Sequence, residues 1–291
     1  MKLVTFTHDG RTRIGAVEAE QVVDFMSVGS NLPTDMLAFL EAGESAINAA
    51  REACASGSGR LALASVTVEA PIRRPPKILA VGLNYRDHVE EVGLKMPEVP
   101  MIFNKQSTSA IGPRDAIHRP AASEELDYEG ELGIVIGKRC HHVPKDKAAG
   151  VIAGYTIVND VSVRDWQFRS ATTTMGKSWD THCPTGPYIV TTDDVPDPHC
   201  LDLRTWVNGE LRQASNTMNL IFDCFDIIEH LSTAFTLEPG DVIATGTPSG
   251  VALGMDPRAW LKAGDRVRIA IDQLGEIENP VIEEPDHTVR Y

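Results

Sequence analysis

The sequence predicts a β-rich mixed α+β protein: a roll or barrel of short strands preceded by a small N-terminal α/β domain. Three observations carry this. After Pro76 the chain consists mainly of short apolar runs punctuated by Gly, Pro and Asp. Only two stretches in that region have helical periodicity, too few for the crossover helices of a doubly wound sheet. The first 70 residues carry their own hairpin-and-helix pattern and end at a stiff PIRRPP connector, Pro71 to Pro76. The expected organisation is therefore a small domain over 1–70 and a β-roll domain over 71–291.

In chain order, KLVTFTHDGRTRIGAVEAEQVVDF reads as two strands around an Asp9-Gly10 turn and then a third. Thr34 to Ala55 has apolar residues at helical spacing, with Thr34 or Asp35 as cap, and SGSGR ends it. The runs KILAVGLN, PMIFNK, LGIVIG, VIAGYTIVND, GPYIVTT, LRTWVNGEL, DVIATGT and DRVRIAI each fit a strand. YRDHVEEV is a short helix. IFDCFDIIEHLSTAF is a longer one, with Ile221, Phe222, Phe225, Ile228 and Leu231 on one face.

Composition narrows the function. The chain has 291 residues, 42% hydrophobic and 23% charged, which excludes collagen, a coiled coil and wholesale disorder. A net charge of −14 disfavours nucleic acid and anionic membrane surfaces as partners. No apolar run approaches the length of a membrane span. The first apolar stretch is broken at His8 and Asp9, unlike a secretory signal. Five scattered cysteines without a C-x-x-C pair read as reduced thiols of a cytoplasmic protein.

The densest acidic signal is Glu124-Glu125-Leu-Asp127-Tyr-Glu129-Gly-Glu131. In a strand, Asp127, Glu129 and Glu131 project to one face. A solvated outer face is the ordinary reading of an acidic strand. Gly130 between two glutamates favours close approach by a ligand or backbone. Asp160 ends the apolar run VIAGYTIVN and is either an ordinary turn residue or a third carboxylate. Glu129, Glu131 and Asp160 together form an all-oxygen, anionic set suited to Mg²⁺ or Mn²⁺, with Ca²⁺ allowed, and unsuited to zinc. His88 and Glu91 stand at i and i+3 on the short helix. They are a surface pair or, if buried beside an electrophile, an oriented general base. Lys177 alone reads as solvent-facing, and Gly246 to Gly250 (GTPSG) as a plain turn or a loop whose backbone N–H groups bind a carboxylate.

The order of these motifs is more specific than any one of them. G-L-N-Y-R-D-H-x-x-E, P-x-I-F-x-K-x-x-T-S, D-Y-E-G-E-L, N-D-V-x-x-R-D-x-Q, G-K-S-x-D and G-T-P-S-G-V occur in that sequence. This closely resembles the fumarylacetoacetate hydrolase family from about residue 72 to residue 282. The V-N-G-E-x-x-Q-x-S-N-T-x-x-L/M-I-F run (Val207 to Phe222) is similar to the prokaryotic acylpyruvase and hydroxymuconate isomerase-like subgroup. The resemblance implies a β-roll, usually homodimeric, with a divalent ion held by Glu129, Glu131 and Asp160. It implies a His88–Glu91 base dyad and a Lys177 that contacts substrate and stabilises developing negative charge. Arg164, Gln167 and Thr247 are implied to hold the substrate's carboxylate or keto oxygens. The His88 context resembles the shorter acylpyruvate-type members rather than the larger hydrolases with an additional upstream aspartate ligand, and the resemblance gives Asp127, just before the ligand pair, no metal role.

These parts lead to an expected activity: metal-dependent hydrolysis of the C–C bond of a 2,4-diketo acid, such as fumarylpyruvate, maleylpyruvate or a sugar-derived acid, giving pyruvate and a second acid. Isomerisation of a 5-carboxymethyl-2-hydroxymuconate-type acid and decarboxylation of an oxaloacetate-type acid are competing uses of the same half-site. A non-catalytic metal-dependent binding protein is the competitor of another class.

Overall fold

The computed structural model describes residues 1–29 and 32–286, so the last five residues of the 71–291 unit lie outside the described residues. Two sheets dominate. The larger has 12 strands and the smaller main sheet has five. The expected β-rich α+β class is what forms, with every helix of 12 residues or fewer among the described residues.

The N-terminal block opens with Lys2–His8 and Arg11–Glu18, joined at Asp9 and Gly10, both at positive φ, as a tight hairpin requires. Gln21–Asp24 follows as the third strand. Lys2–His8 also pairs with Cys183–Thr191 (Lys2 opposite Val190), so the first block and the remainder share one sheet. The single helix expected over Thr34 to Ala55 is two, Met36–Glu41 capped by Asp35 and Glu44–Ala55. Gly43, at φ +63°, breaks the helical path between them.

The run LRTWVNGEL, expected as one strand, is a hairpin of Asp202–Val207 and Glu210–Asn216. It turns at Asn208-Gly209, both at positive φ, the strongest local hairpin signal in the chain. Ile221 and Phe222 precede the later helix instead of lying on it. Asp223 caps Cys224–Ala234 with a reciprocal capping box, and Cys224, Ile227, Ile228 and Leu231 form its buried face. The other expected strands form, and Gly275–Glu283 adds one that the sequence patterning did not single out.

Strand pairing gathers four chain segments at one end of the large sheet. Gly130–Ile136 runs antiparallel to Ile152–Asn159 with Gly130 opposite Asn159, so the start of one strand meets the end of the other. Val242–Ala244 runs antiparallel to Gly130–Ile136 with Gly133 opposite Ala244, so its exit lies at that same end. Ile78–Gly82 is parallel to Val242–Ala244 and leaves the sheet there too. The acidic residues, Asp160, the GTPSG loop and the helix Arg86–Glu91 are thereby brought together. The strands beneath are apolar and fully buried, including Leu132, Ile134, Ile157 and Ile243. All five cysteines are free, and no helix among the described residues is long and apolar enough to cross a membrane.

Candidate active site

Glu129, Glu131 and Asp160 offer carboxylate oxygens that all lie within 4.8 Å of one another, and all three side chains are buried. Glu129 lies just outside the strand, which begins at Gly130. It is fixed by Asn159 Oδ1, which accepts its N–H at 3.0 Å, and by its own carbonyl, which accepts the N–H of Asp160 at 2.9 Å. Buried carboxylates at this spacing repel one another unless cations or protons intervene.

Three cations answer them. Lys177 Nζ donates to Glu129 Oε2 (2.7 Å) and Asp160 Oδ2 (2.9 Å). Lys105 Nζ, on the strand Met101–Lys105, donates to Asp160 Oδ1 (2.6 Å), the carbonyl of Val161 (3.2 Å) and the carbonyl of Lys177. Arg164 Nη1 lies 2.7 Å from Glu129 Oε1, and its Nε donates to Asp127 Oδ2 at 2.8 Å. Burial pushes the Glu129 carboxyl up, but Lys177 and Arg164 outweigh it and hold it down at about 2. Among the described residues no cation forms an ion pair with Glu131, and Lys177 lowers it less than its surroundings raise it. Burial, then the neighbouring Asp160 and Glu129, push it well above the usual carboxylate range. Burial lowers Lys177 less than Asp160 and Glu129 raise it, so its ammonium stays charged.

Asp127 does not share the face of Glu129 and Glu131, contrary to the alternation expected of one continuous strand. Leu126–Asp127 is a separate short strand pairing with Ser162–Val163. The Asp127 carboxylate accepts from Arg164 and from the N–H groups of Ala252 and Leu253. Arg164 is thus engaged by Asp127, Glu129 and the Oε1 of Gln167, 2.9 Å away. In this arrangement it orients Glu129, while Gln167 is half-buried beside it.

His88 is buried on the helix Arg86–Glu91, and its Nδ1 lies 3.1 Å from Glu91 Oε2. The other oxygen of Glu91 accepts the N–H of Gly250 at 2.8 Å. His88 is close enough to the acidic cluster to help depress Glu129. Asn84 anchors the approach to this helix, donating to the carbonyls of Thr245 (2.7 Å) and Phe222 (3.0 Å) and accepting from the Phe222 N–H (2.8 Å). The GTPSG loop is more than a turn. Gly246 N–H donates to Glu131 Oε2 at 2.6 Å, and Thr247 Oγ1 donates to the Gly130 carbonyl at 3.0 Å. Gly246 needs its φ of +109°, and a Cβ there would lie 2.7 Å from Cβ of Asn84.

The sequence reading assigned no role to Lys105 or Asn84, although both stand inside the quoted motifs. A lysine embedded in an apolar strand run was the available signal for Lys105.

A family model described as fumarylacetoacetate (FAA) hydrolase C-terminal matches residues 77–282. The chain belongs to the fumarylacetoacetate hydrolase family. It is 44% identical over 262 residues to the mitochondrial oxaloacetate tautomerase Fahd2a of Rattus norvegicus, covering 90% of this chain and 84% of the rat chain. Among solved structures, it is similar to maleylpyruvate hydrolase from Sphingobium sp. SYK-6 in complex with manganese(II) and pyruvate. That match has 34% identity and a TM-score of 0.82 over 98% of this chain and 100% of the other. It is also similar to 5-carboxymethyl-2-hydroxymuconate delta-isomerase from Mycobacterium smegmatis, with 35% identity and a TM-score of 0.79 over 98% and 100% of the two chains. Tautomerase, hydrolase and isomerase relatives thus share the family fold, and this chain has a buried acidic cluster that could bind a divalent metal.

Proposed function

We propose that the protein is a divalent-metal-dependent tautomerase of oxaloacetate-like 2-keto acids. The observation that carries this reading is the 44% identity to an oxaloacetate tautomerase, and the buried His88–Glu91 dyad, tied through the GTPSG loop to the same carboxylate cluster, supplies the base it needs. Glu129, Glu131 and Asp160 fit a hard cation: the donors are all oxygen, buried, and crowded enough to push Glu131 up. They would hold Mg²⁺ or Mn²⁺. When bound, that ion supplies Lewis-acid polarisation of the keto oxygen.

The rest of the work belongs to the chain. His88 Nε2 takes a proton from C3 of the keto acid, and a proton delivered to the 2-oxygen completes the enol; in reverse the 2-oxygen gives up its proton and protonated His88 returns one to C3, so keto and enol forms interchange with no net change in composition. Glu91 fixes the ring through Nδ1. The Lys177 ammonium stabilises negative charge developing at the 2-oxygen. Thr247 and Gln167 border the same cluster and are the proposed contacts to substrate oxygens. Four buried carboxylates, Asp127, Glu129, Glu131 and Asp160, face three cations, Lys105, Arg164 and Lys177. With a divalent ion held by Glu129, Glu131 and Asp160, that balance would reverse and the site would attract an anionic acid. The 44% identity to a tautomerase supports this choice among the family's reactions.

A second reading, hydrolysis of a 2,4-diketo acid to pyruvate, has its own support. The dyad could equally activate water, and the manganese-bound relative carries pyruvate. The test follows enol absorbance of oxaloacetate with Mn²⁺, alongside a pyruvate assay on oxaloacetate and on maleylpyruvate. Accelerated enol–keto interchange without pyruvate supports the tautomerase. Pyruvate from maleylpyruvate with no effect on oxaloacetate enol transfers the assignment to the hydrolase.

A further inference from the structure

The V-N-G-E-x-x-Q-x-S-N motif has no part in the chemistry above. It includes the hairpin turn and the edge strand Glu210–Asn216 of the five-stranded sheet. Its Gln213 is fully buried, with both ends of its amide engaged. Oε1 accepts the N–H of Gly130 (3.0 Å), and Nε2 donates to Thr247 Oγ1 (2.8 Å) and the Pro248 carbonyl (2.9 Å). Gly130 separates Glu129 from Glu131, and its carbonyl accepts from Thr247.

One amide therefore joins the backbone between two cluster carboxylates to the middle of the GTPSG loop. The two ends of that loop supply the N–H groups that hold Glu131 and Glu91. The join depends on close backbone approach. A Cβ on Gly250 would lie 1.9 Å from the Arg212 carbonyl oxygen, and one on Gly130 would lie 3.2 Å from Gln213 Oε1. Two residues along the strand, on the same face, Ser215 Oγ donates to Asp87 Oδ2 at 2.7 Å. The other oxygen of Asp87 accepts the N–H of His88 at 2.8 Å.

We infer that Gln213 and Ser215 are positioning residues, and that this edge strand sets the placement of the imidazole relative to the carboxylate cluster. Gln213 acts on the cluster and on Glu91 through the loop. Ser215 acts on the helix that carries His88, its Oγ being held in turn by Asn219 Nδ2 at 3.0 Å. The inference rests on the reading of His88 as the base.

The experiment compares full-length parent, Gln213→Met and Ser215→Ala by direct Mn²⁺ titration, by kcat and KM for oxaloacetate tautomerisation and maleylpyruvate cleavage, and by thermal unfolding. Gln213→Met is expected to weaken Mn²⁺ binding about 10-fold, the lower scale for loss of a group that orients a ligand. It should also lower kcat on the order of 10²-fold, with KM changed far less, as misplacement of a catalytic group does. Ser215→Ala should lower kcat about 10-fold and leave Mn²⁺ affinity within about twofold, because its hydroxyl donates to the base helix and not to the carboxylate cluster. If Gln213→Met does not fold, Gln213→Asn, which keeps the amide but shortens its reach, carries the same expectation for Mn²⁺ affinity. A lower unfolding temperature with parental Mn²⁺ affinity and kcat would reduce both residues to packing and overturn the inference. If the parent binds Mn²⁺ but turns over neither acid, the functional reading fails by itself, and the Mn²⁺ affinities of parent and Gln213→Met still decide the role of Gln213. A parent that binds no Mn²⁺ overturns both.

Discussion

Replacing Lys105 by methionine keeps most of the side-chain volume and removes a charge that has no route to solvent. Its ammonium is wholly buried and donates to Asp160 Oδ1 (2.6 Å), to the Val161 carbonyl (3.2 Å) and to the Lys177 carbonyl. Asp160 is equally buried, so the substitution strands a carboxylate oxygen and two carbonyls inside the protein. Removing one partner of a buried pair costs about 3–5 kcal/mol. That is a large share of the 5–15 kcal/mol or so that holds a typical domain together. At roughly 2–4 °C per kcal/mol for a large domain, the unfolding temperature should fall by about 10 °C. Saturating Mn²⁺ should restore more of the loss than it adds to the parent, because the ion takes over the compensation of Asp160. Thermal unfolding of parent and Lys105→Met, each with and without Mn²⁺, reads all four values. An unfolding temperature within about 2 °C of the parent would refute the claim that Lys105 neutralises the cluster from beneath.

Three further outcomes are expected. His88→Ala should lower turnover on the order of 10²-fold or more while leaving Mn²⁺ affinity near the parent value, and Glu91→Gln should do less harm; steady-state kinetics beside Mn²⁺ titration checks both. Glu129 is held at about 2 against an ordinary 4.5, so its stabilising contribution is fully present above about 4.5 and is lost as pH falls toward 2. Urea unfolding across that window should show stability falling with acid, and a Glu129→Gln variant should have a flatter profile. Sedimentation at micromolar concentration should give a homodimer, the commonest closed assembly, rather than a single chain of 31.7 kDa.

The parts of this protein visible in its sequence are those governed by short-range rules. The Asp9-Gly10 hairpin, the i, i+3 spacing of His88 and Glu91, and the Glu-Gly-Glu spacing at 129–131 each reflect a local periodicity or turn requirement. Local signals that competed were misjudged. Helical spacing over Thr34 to Ala55 outweighed Gly43, and the apolar character of LRTWV outweighed Asn208-Gly209. The network around the cluster is a different case. Lys105 meets Asp160 across 55 residues, Arg164 meets Asp127 across 37, and Gln213 meets Gly130 across 83. Those meetings follow from sheet order and register, which no window along the chain contains. The motif resemblance named candidate site residues but could not say that Arg164 also bonds Glu129 and Asp127, or that Thr247 also bonds Gly130 and Gln213.

The most direct measurement is the rate of oxaloacetate enol–keto interchange for parent and Glu131→Ala, each stripped with chelator and then supplied with Mn²⁺, with Mn²⁺ binding followed in the same samples. The parent should lose activity on stripping and regain it with Mn²⁺, while Glu131→Ala should bind the ion at least about 10-fold more weakly and stay inactive at concentrations that saturate the parent. Undiminished interchange by stripped parent, or by Glu131→Ala without bound Mn²⁺, would contradict the account.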